Sequence, residues 1–329
     1  MLGMPLLLAI SLLQAVHAQE RDSNNAVLTV GGGTIDVTLP SETMKLSRAD
    51  LLEWIRASAS TVAGYYGRFP VPHLTLRVRS SSGSGIRHGV TFARDGGLIL
   101  IGVGRDADVA ETRDDWVLVH EMIHLAFPSL EDNHHWLEEG ISTYVEPVAR
   151  VRAGRMDLDE MWRTFLRDMP KGEPESHDQG LDNTPTWGRT YWGGAMFCLL
   201  ADVRIRERTN NRKSLQDALR GVLNAGGTIN KDWDIEKALA LGDKATGTTV
   251  LRTLYKKMRD KPAPVDLDAL WKKLGVELKV GAVVFNDKAP EAGIRKAITA
   301  PAPSARSQKR LRQKIEAPMQ SASSSKGDN

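Results

Sequence analysis

The sequence predicts an α+β fold, and three features predict it. Strand and hairpin patterns dominate the first hundred or so residues, and helical patterns take over after about residue 112. At the changeover, every position from Trp116 to Phe127 is apolar except His120, Glu121 and His124. A helix that is apolar all round is a buried helix, so the fold is expected to close around this one. With 41% hydrophobic and 26% charged residues among 329, the composition is that of an ordinary globular protein with material for a sizeable core.

The elements follow in order. Residues 1–18 (MLGMPLLLAISLLQAVHA) read as a secretory signal peptide. Their apolar run is too short to span a bilayer, and Val16-His17-Ala18 gives small residues at the expected cleavage positions. No other run is long enough for a transmembrane helix, so the expected mature protein is soluble, without membrane insertion, and periplasmic or secreted. Residues 26–39 (AVLTVGGGTIDVTL) alternate on either side of three glycines and predict a hairpin. Ser47 then opens a helix carrying Leu51, Leu52, Ile55, Ala59 and Val62, which ends near Gly67. Residues 72–79 alternate as a strand. His88–Phe92 and Leu98–Val103 are strand candidates joined by Asp95-Gly96-Gly97, a hairpin signal. An exposed strand just before the buried helix either pairs with an extended peptide through its main chain or is an ordinary sheet strand. Thr112-Arg113-Asp114-Asp115 is a capping-box pattern for the buried helix, which should stop at Pro128. A second helix starts near Asn133 or His134, and Pro147 should kink or end it. From Asp157 to about Leu274 the chain reads as mostly helical, with helices over 157–169, 189–209, 214–223 and 249–258.

Residues 300–329, rich in Pro, Ala, Ser, Lys and Gln, lack the apolar content to fold and are expected to be disordered. Six Lys or Arg against Glu316 and Asp328 place the chain's +3 charge in this tail, which excludes a basic nucleic-acid face on the folded part. The organisation expected is therefore a signal peptide (1–18), one domain over 19–299 with an α+β lobe (about 26–128) and a helical lobe (129–299), and the tail. The lone Cys198 forms no intrachain disulfide and reads as a small buried core residue.

His120-Glu121-Met122-Ile123-His124 is an HExxH motif. Histidines four apart on a helix share a face, so both imidazoles reach one ion. Catalytic zinc takes three protein ligands of this kind and keeps a fourth position for water. Glu121 is too close to the pair to be a comfortable ligand but is placed to accept a proton from a zinc-bound water attacking a carbonyl. The third ligand must come from elsewhere.

Residues 136–146, WLEEGISTYVE, resemble the segment carrying the glutamate ligand in gluzincin metallopeptidases, notably the aminopeptidase N-like and glycyl aminopeptidase-like families, with their pattern W-L-x-E-G-x-x-x-Y. The resemblance implies Glu139 as third ligand, with Glu138 at the variable position. Gly140 is expected to let this helix approach the first. Tyr191-Trp192-Gly193-Gly194-Ala195 is similar to the Y-x-K-G-A segment whose tyrosine steadies the oxyanion, which implies that role for Tyr191. The similarity covers about residues 85–225. The loop between His124 and Glu139 is shorter than in those families, Gly193 replaces the lysine, and the G-x-M-E-N segment that holds a substrate's free amino terminus is missing.

The resemblance thus implies a thermolysin-like zincin fold and a zinc-dependent metallopeptidase acting on a peptide or protein substrate, with the choice between aminopeptidase and endopeptidase open, as is the oligomeric state. The rival is a non-catalytic binding protein with a structural zinc, for which His134 or His135 would supply a fourth ligand. Glu146 is either a partner orienting a ligand histidine or a surface carboxylate, and Arg189 either meets a substrate carboxylate or forms an ordinary ion pair.

Overall fold

The computed structural model describes residues 24–301. The leader read over residues 1–18, and the tail from residue 302 on, lie outside the described residues.

Strands β1 (Asn25–Val30) and β2 (Gly33–Thr38) form the expected hairpin. Gly31 and Gly32 turn it at φ 55° and 86°, a backbone that only glycine adopts cheaply. Helix α1 (Arg48–Tyr66) begins at Ser47, whose hydroxyl accepts from the Asp50 amide while the Asp50 carboxylate accepts from the Ser47 amide, and it ends at a left-handed Gly67. Strands β3 (His73–Ser81), β4 (Ile86–Phe92) and β5 (Leu98–Gly104) complete a five-stranded sheet in the order β1-β2-β3-β5-β4. The β2, β3 and β5 pairings are parallel, and the outer strands β1 and β4 are antiparallel to their neighbours. Alternate residues Leu74, Leu76 and Val78 of β3 and Ile99, Ile101 and Val103 of β5 are buried, so period-two patterning puts one face of the sheet in the core. Strand β4 is an edge.

Next comes a short helix, α2 (Val109–Asp114), capped by Asp108 and Glu111, and then α3 (Val117–His124), which carries the HExxH motif. The start expected at Thr112 is therefore misplaced. Asp115 is extended and ends α2, and its carboxylate accepts from the amides of Val117 and Leu118 at 2.9 and 3.2 Å and from the Trp54 indole at 2.9 Å. One buried aspartate thus caps α3 and ties it to α1. Helix α3 stops at His124, short of Pro128. All its residues from Leu118 to Ile123 are buried.

After a single tight turn, α4 (His135–Arg152) runs through Pro147 without ending there. The prolyl ring removes one hydrogen bond, but Tyr144, Val145, Val148 and Ala149 around it are all buried, and packing supplies most of a helix's stability in a protein. Helix α5 (Leu158–Asp168) follows. A π-helical turn over Gly188–Gly193 leads into α6 (Gly194–Arg208), and then come α7 (Leu215–Asn224), α8 (Ile235–Thr246), α9 (Val250–Met258) and α10 (Leu267–Leu274). A hairpin of β6 (Val276–Lys279) and β7 (Ala282–Phe285) and a last helix, α11 (Ala292–Thr299), close the described chain. Helices α8, α10 and α11 and this hairpin are not among the elements named from the sequence. Cys198 is buried in α6, and burial pushes its thiol far above the ordinary range.

Helix α4 is central. It packs on α3 on one side and on α6 on the other. The Gly140 contact is with α6 rather than with the HExxH helix: a Cβ there would strike the Gly194 backbone, and one on Gly194 would strike the Trp136 carbonyl. The buried Asp202 of α6 binds the Tyr144 hydroxyl at 2.9 Å, Arg206 at 2.9 Å and the Leu215 amide at 2.8 Å, joining α4, α6 and α7. Gly140→Ala should therefore cost about 1–3 kcal/mol of stability, as overpacked backbone contacts do. The loss would be read as a lower urea midpoint at unchanged m value.

Candidate metal centre

Helices α3 and α4 bring His120, His124 and Glu139 together, with one ligand atom from each lying within 4.8 Å of the others. His120 Nε2 is 3.0 Å from Glu139 Oε2, and His124 Nε2 is 3.7 Å from Glu139 Oε1. Two ligands about 2.1 Å from a tetrahedral zinc ion sit roughly 3.4 Å apart, so two imidazoles and a carboxylate at these spacings fit that ion in chemistry and size. Burial drives the His124 pKa down to about 3, with His120 adding to the effect. That leaves the neutral imidazole a metal requires. Burial works to raise the Glu139 carboxyl, but hydrogen bonds from His120 and His135 outweigh it and hold the group below the usual range.

Beside the cluster, Glu121 is clamped by β4. The Thr91 hydroxyl donates to Glu121 Oε2 at 2.6 Å and to the Glu121 carbonyl at 3.0 Å. A Cβ on Gly89 would collide with the Glu121 side chain, its Cδ 2.9 Å away. Gly89 and Thr91 are two apart on one strand and so address the same face. Burial raises the Glu121 pKa, the Thr91 hydrogen bond opposing. These groups line a cleft of about 570 Å³ whose wall includes Val90 and Phe92 of β4 and Tyr191. The Tyr191 ring stacks on His120 at 6.4 Å and 27° and also leans on Trp187 at 5.8 Å. Burial and then the negative charges of Glu139 and Glu121 raise its pKa.

Other candidates fall elsewhere. His134 turns away, its Nε2 3.1 Å from the Tyr255 hydroxyl and 3.5 Å from Asp182. His135 is half-exposed and pairs with Glu138 at 3.0 Å and Glu139 at 3.3 Å. Glu138 also accepts from the Leu130 amide, so it braces the connecting loop. Glu146 is buried rather than on the surface, its pKa pushed up to about 7 by burial, and it pairs with Arg150 at 2.9 Å. Arg189 is a buried ion-pair residue, 2.7 Å from Asp178 and bonded to the Gly172 carbonyl.

Sequence reading missed Thr91 and Ser142. The Ser142 hydroxyl lies 3.4 Å from His124 Nδ1, which directs Nε2 toward Glu139. The signal was its place three residues after Glu139, on the same face of α4.

No protein-family model matches the chain, and no match is found among curated proteins. Its fold is similar to that of an aminopeptidase N family protein from Idiomarina loihiensis, with a TM-score of 0.56 and 13% identity over 78% of this chain and 49% of that one. An M1 zinc metallopeptidase from Deinococcus radiodurans is similar with a TM-score of 0.48 and 14% identity over 74% and 52%. The chain thus spans about half the length of these structures. The first of them shows the fold: an α+β lobe and a helical lobe, arranged as in that structure.

Ser142→Ala should weaken zinc binding by about tenfold, the low end for groups that orient a ligand histidine, when measured by competition with a chelator. His124→Ala should abolish stoichiometric binding in the same assay.

Proposed function

We propose that this protein is an exported, zinc-dependent hydrolase of peptide bonds in which His120, His124 and Glu139 hold the metal and Glu121 and Tyr191 act on the substrate. The single observation that carries the reading is Glu121. A buried carboxylate with a raised pKa, clamped beside a three-ligand cluster and lining an open cleft, is of no use to a purely structural metal. The apolar leader over residues 1–18 supports export.

Zinc bound at the three ligands would supply Lewis acidity, making a water more acidic and a substrate carbonyl more electrophilic. The protein's own groups do the rest. Thr91 occupies Glu121 Oε2, which leaves Oε1 to take the proton of the attacking water and to pass it to the departing amine. A base whose pKa is raised by burial binds that proton more readily than an ordinary carboxylate. The Tyr191 hydroxyl, protonated as an ordinary tyrosine is at neutral pH, donates to the carbonyl oxygen as charge develops there. Edge strand β4 offers main-chain groups along the cleft on which an extended peptide can lie. The closed four-ligand alternative is disfavoured because His134 is engaged by Tyr255 and Asp182, and because His135, although 3.3 Å from Glu139, stands outside the cluster of His120, His124 and Glu139.

Glu121→Gln should keep one zinc per chain by metal analysis, keep the fold, and lose about a hundredfold or more in hydrolysis of a peptide pool, the scale of a general base. Activity surviving that change would sink the mechanism. Four protein ligands in an absorption spectrum of the zinc-loaded protein would restore the structural alternative.

A further inference from the structure

Among the described residues, three large aromatic side chains are exposed, Trp116 (53%), Trp187 (60%) and Phe92 (45%). Trp116 touches His120 of the cluster, Trp187 is one ring further out on Tyr191, and Phe92 lines the cleft. Trp116 sits one turn before His120 and meets its ring edge-on at 5.7 Å. Trp187 sits one turn before Tyr191 and leans on it at 5.8 Å, and Tyr191 stacks on His120. Trp116, His120, Tyr191 and Trp187 therefore form a continuous row of rings whose two ends lie in water, while Phe92 lines the cleft from β4.

Exposed indoles contribute little to the core, and apolar rings gathered at one place on a surface mark a binding site. The charges nearby narrow the occupant. Of the lining carboxylates, Glu138 is engaged by His135 and the Leu130 amide and Glu139 by the histidines, while Glu121, held by Thr91 at Oε2, keeps only Oε1, the oxygen assigned above to the water's proton. Lys171, 5.7 Å over the Trp187 ring, is itself paired with Asp168 at 2.7 Å. Among the described residues lining the cleft, no carboxylate other than the Glu121 used for proton transfer is left for an ammonium or guanidinium group, whether a basic side chain or a free amino terminus.

We infer that the ring row is the side-chain subsite of this centre, and that its substrates are peptides presenting an aromatic residue beside the scissile bond, recognised without a free amino terminus. This rests on the hydrolase reading above. Offset and edge-on ring contacts to Trp116 and Trp187 give the preference for an aromatic over an aliphatic side chain, and pairing with β4 holds the main chain on either side of it.

The test uses the zinc-loaded full chain and acetylated peptides that differ only in Phe, Ala or Lys at the positions flanking the cleaved bond. Phe is expected to exceed Ala by about tenfold in kcat/KM, the size of a ring-pair contribution, with the difference in KM. Trp116→Ala and Trp187→Ala should each reduce that ratio, and together bring it near unity, whereas Trp187→Phe retains it. Val27→Ala, an exposed residue on β1, should leave the ratio alone. A ratio intact in the double variant, a preference for Lys, or a requirement for an unblocked amino terminus overturns the inference. Should the wild-type chain cleave none of the peptides, the hydrolase reading fails and binding decides the subsite separately. Zinc-loaded Glu121→Gln protein titrated calorimetrically with the Phe peptide should bind saturably and lose about tenfold in affinity in the double tryptophan variant. Equal affinity for the Phe and Ala peptides overturns it.

Discussion

Between α3 and α4 two imidazoles and a carboxylate meet in a buried seam, and the neighbouring structure holds them there. Polar groups taken out of water are costly unless each finds a partner. Here Glu139 reaches both histidines, and His135 closes over the same carboxylate from the solvent side. That meeting needs α4 to lie at a set depth against α3. On the opposite flank of α4 two glycines, Gly140 and Gly194, bring it into backbone contact with α6. The Asp202 network then locks α6 to α4 and α7.

The sheet contributes by its order as much as by its strands. Because β5 inserts between β3 and β4, β4 is left with one edge unpaired and one face turned to α3. Thr91 and Gly89 on that face hold Glu121 beside His120, His124 and Glu139 without letting it join them. A single strand thus positions Glu121 and presents an extended edge along the same cleft. Asp115, capping α3 while binding Trp54, keeps the helix from shifting along its axis relative to α1.

Much of this was legible residue by residue. The hairpin of β1 and β2, the Ser47 cap, the Gly67 stop, the alternation in β3 and the Asp95-Gly96-Gly97 turn between β4 and β5 are local patterns, each with a local cause. The misreadings share the opposite character. Thr112 looked like a cap because Asp115 could not be known to turn away from α2 and bond with a tryptophan some sixty residues earlier. Pro147, expected to kink or end α4, does not end it, because the packing that carries α4 past it comes from distant helices. Gly140 was matched to the wrong neighbour, since a missing side chain shows that something comes close but not what. Helix α8 is the exception: Ile235, Ala238, Leu239 and Gly242 fall at helical spacing between the Asp234 cap and a left-handed Gly247, so its signals were local.

By itself the sequence determined that His120 and His124 share a helical face with Glu121 between them, that the helix bearing them is apolar enough to be buried, and that WLEEG supplies a carboxylate near the start of the next helix. Helical spacing is a property of a few consecutive residues, so no tertiary knowledge is needed for any of this. The resemblance of WLEEG already implied Glu139 rather than Glu138; only the tertiary structure decided that Thr91 and Ser142 steady Glu121 and His124, that His134 faces Tyr255, and that Trp116 and Trp187 flank one row of rings. Those contacts join residues up to 121 positions apart, and they exist only because the packing of α4 between α3 and α6 sets the distances.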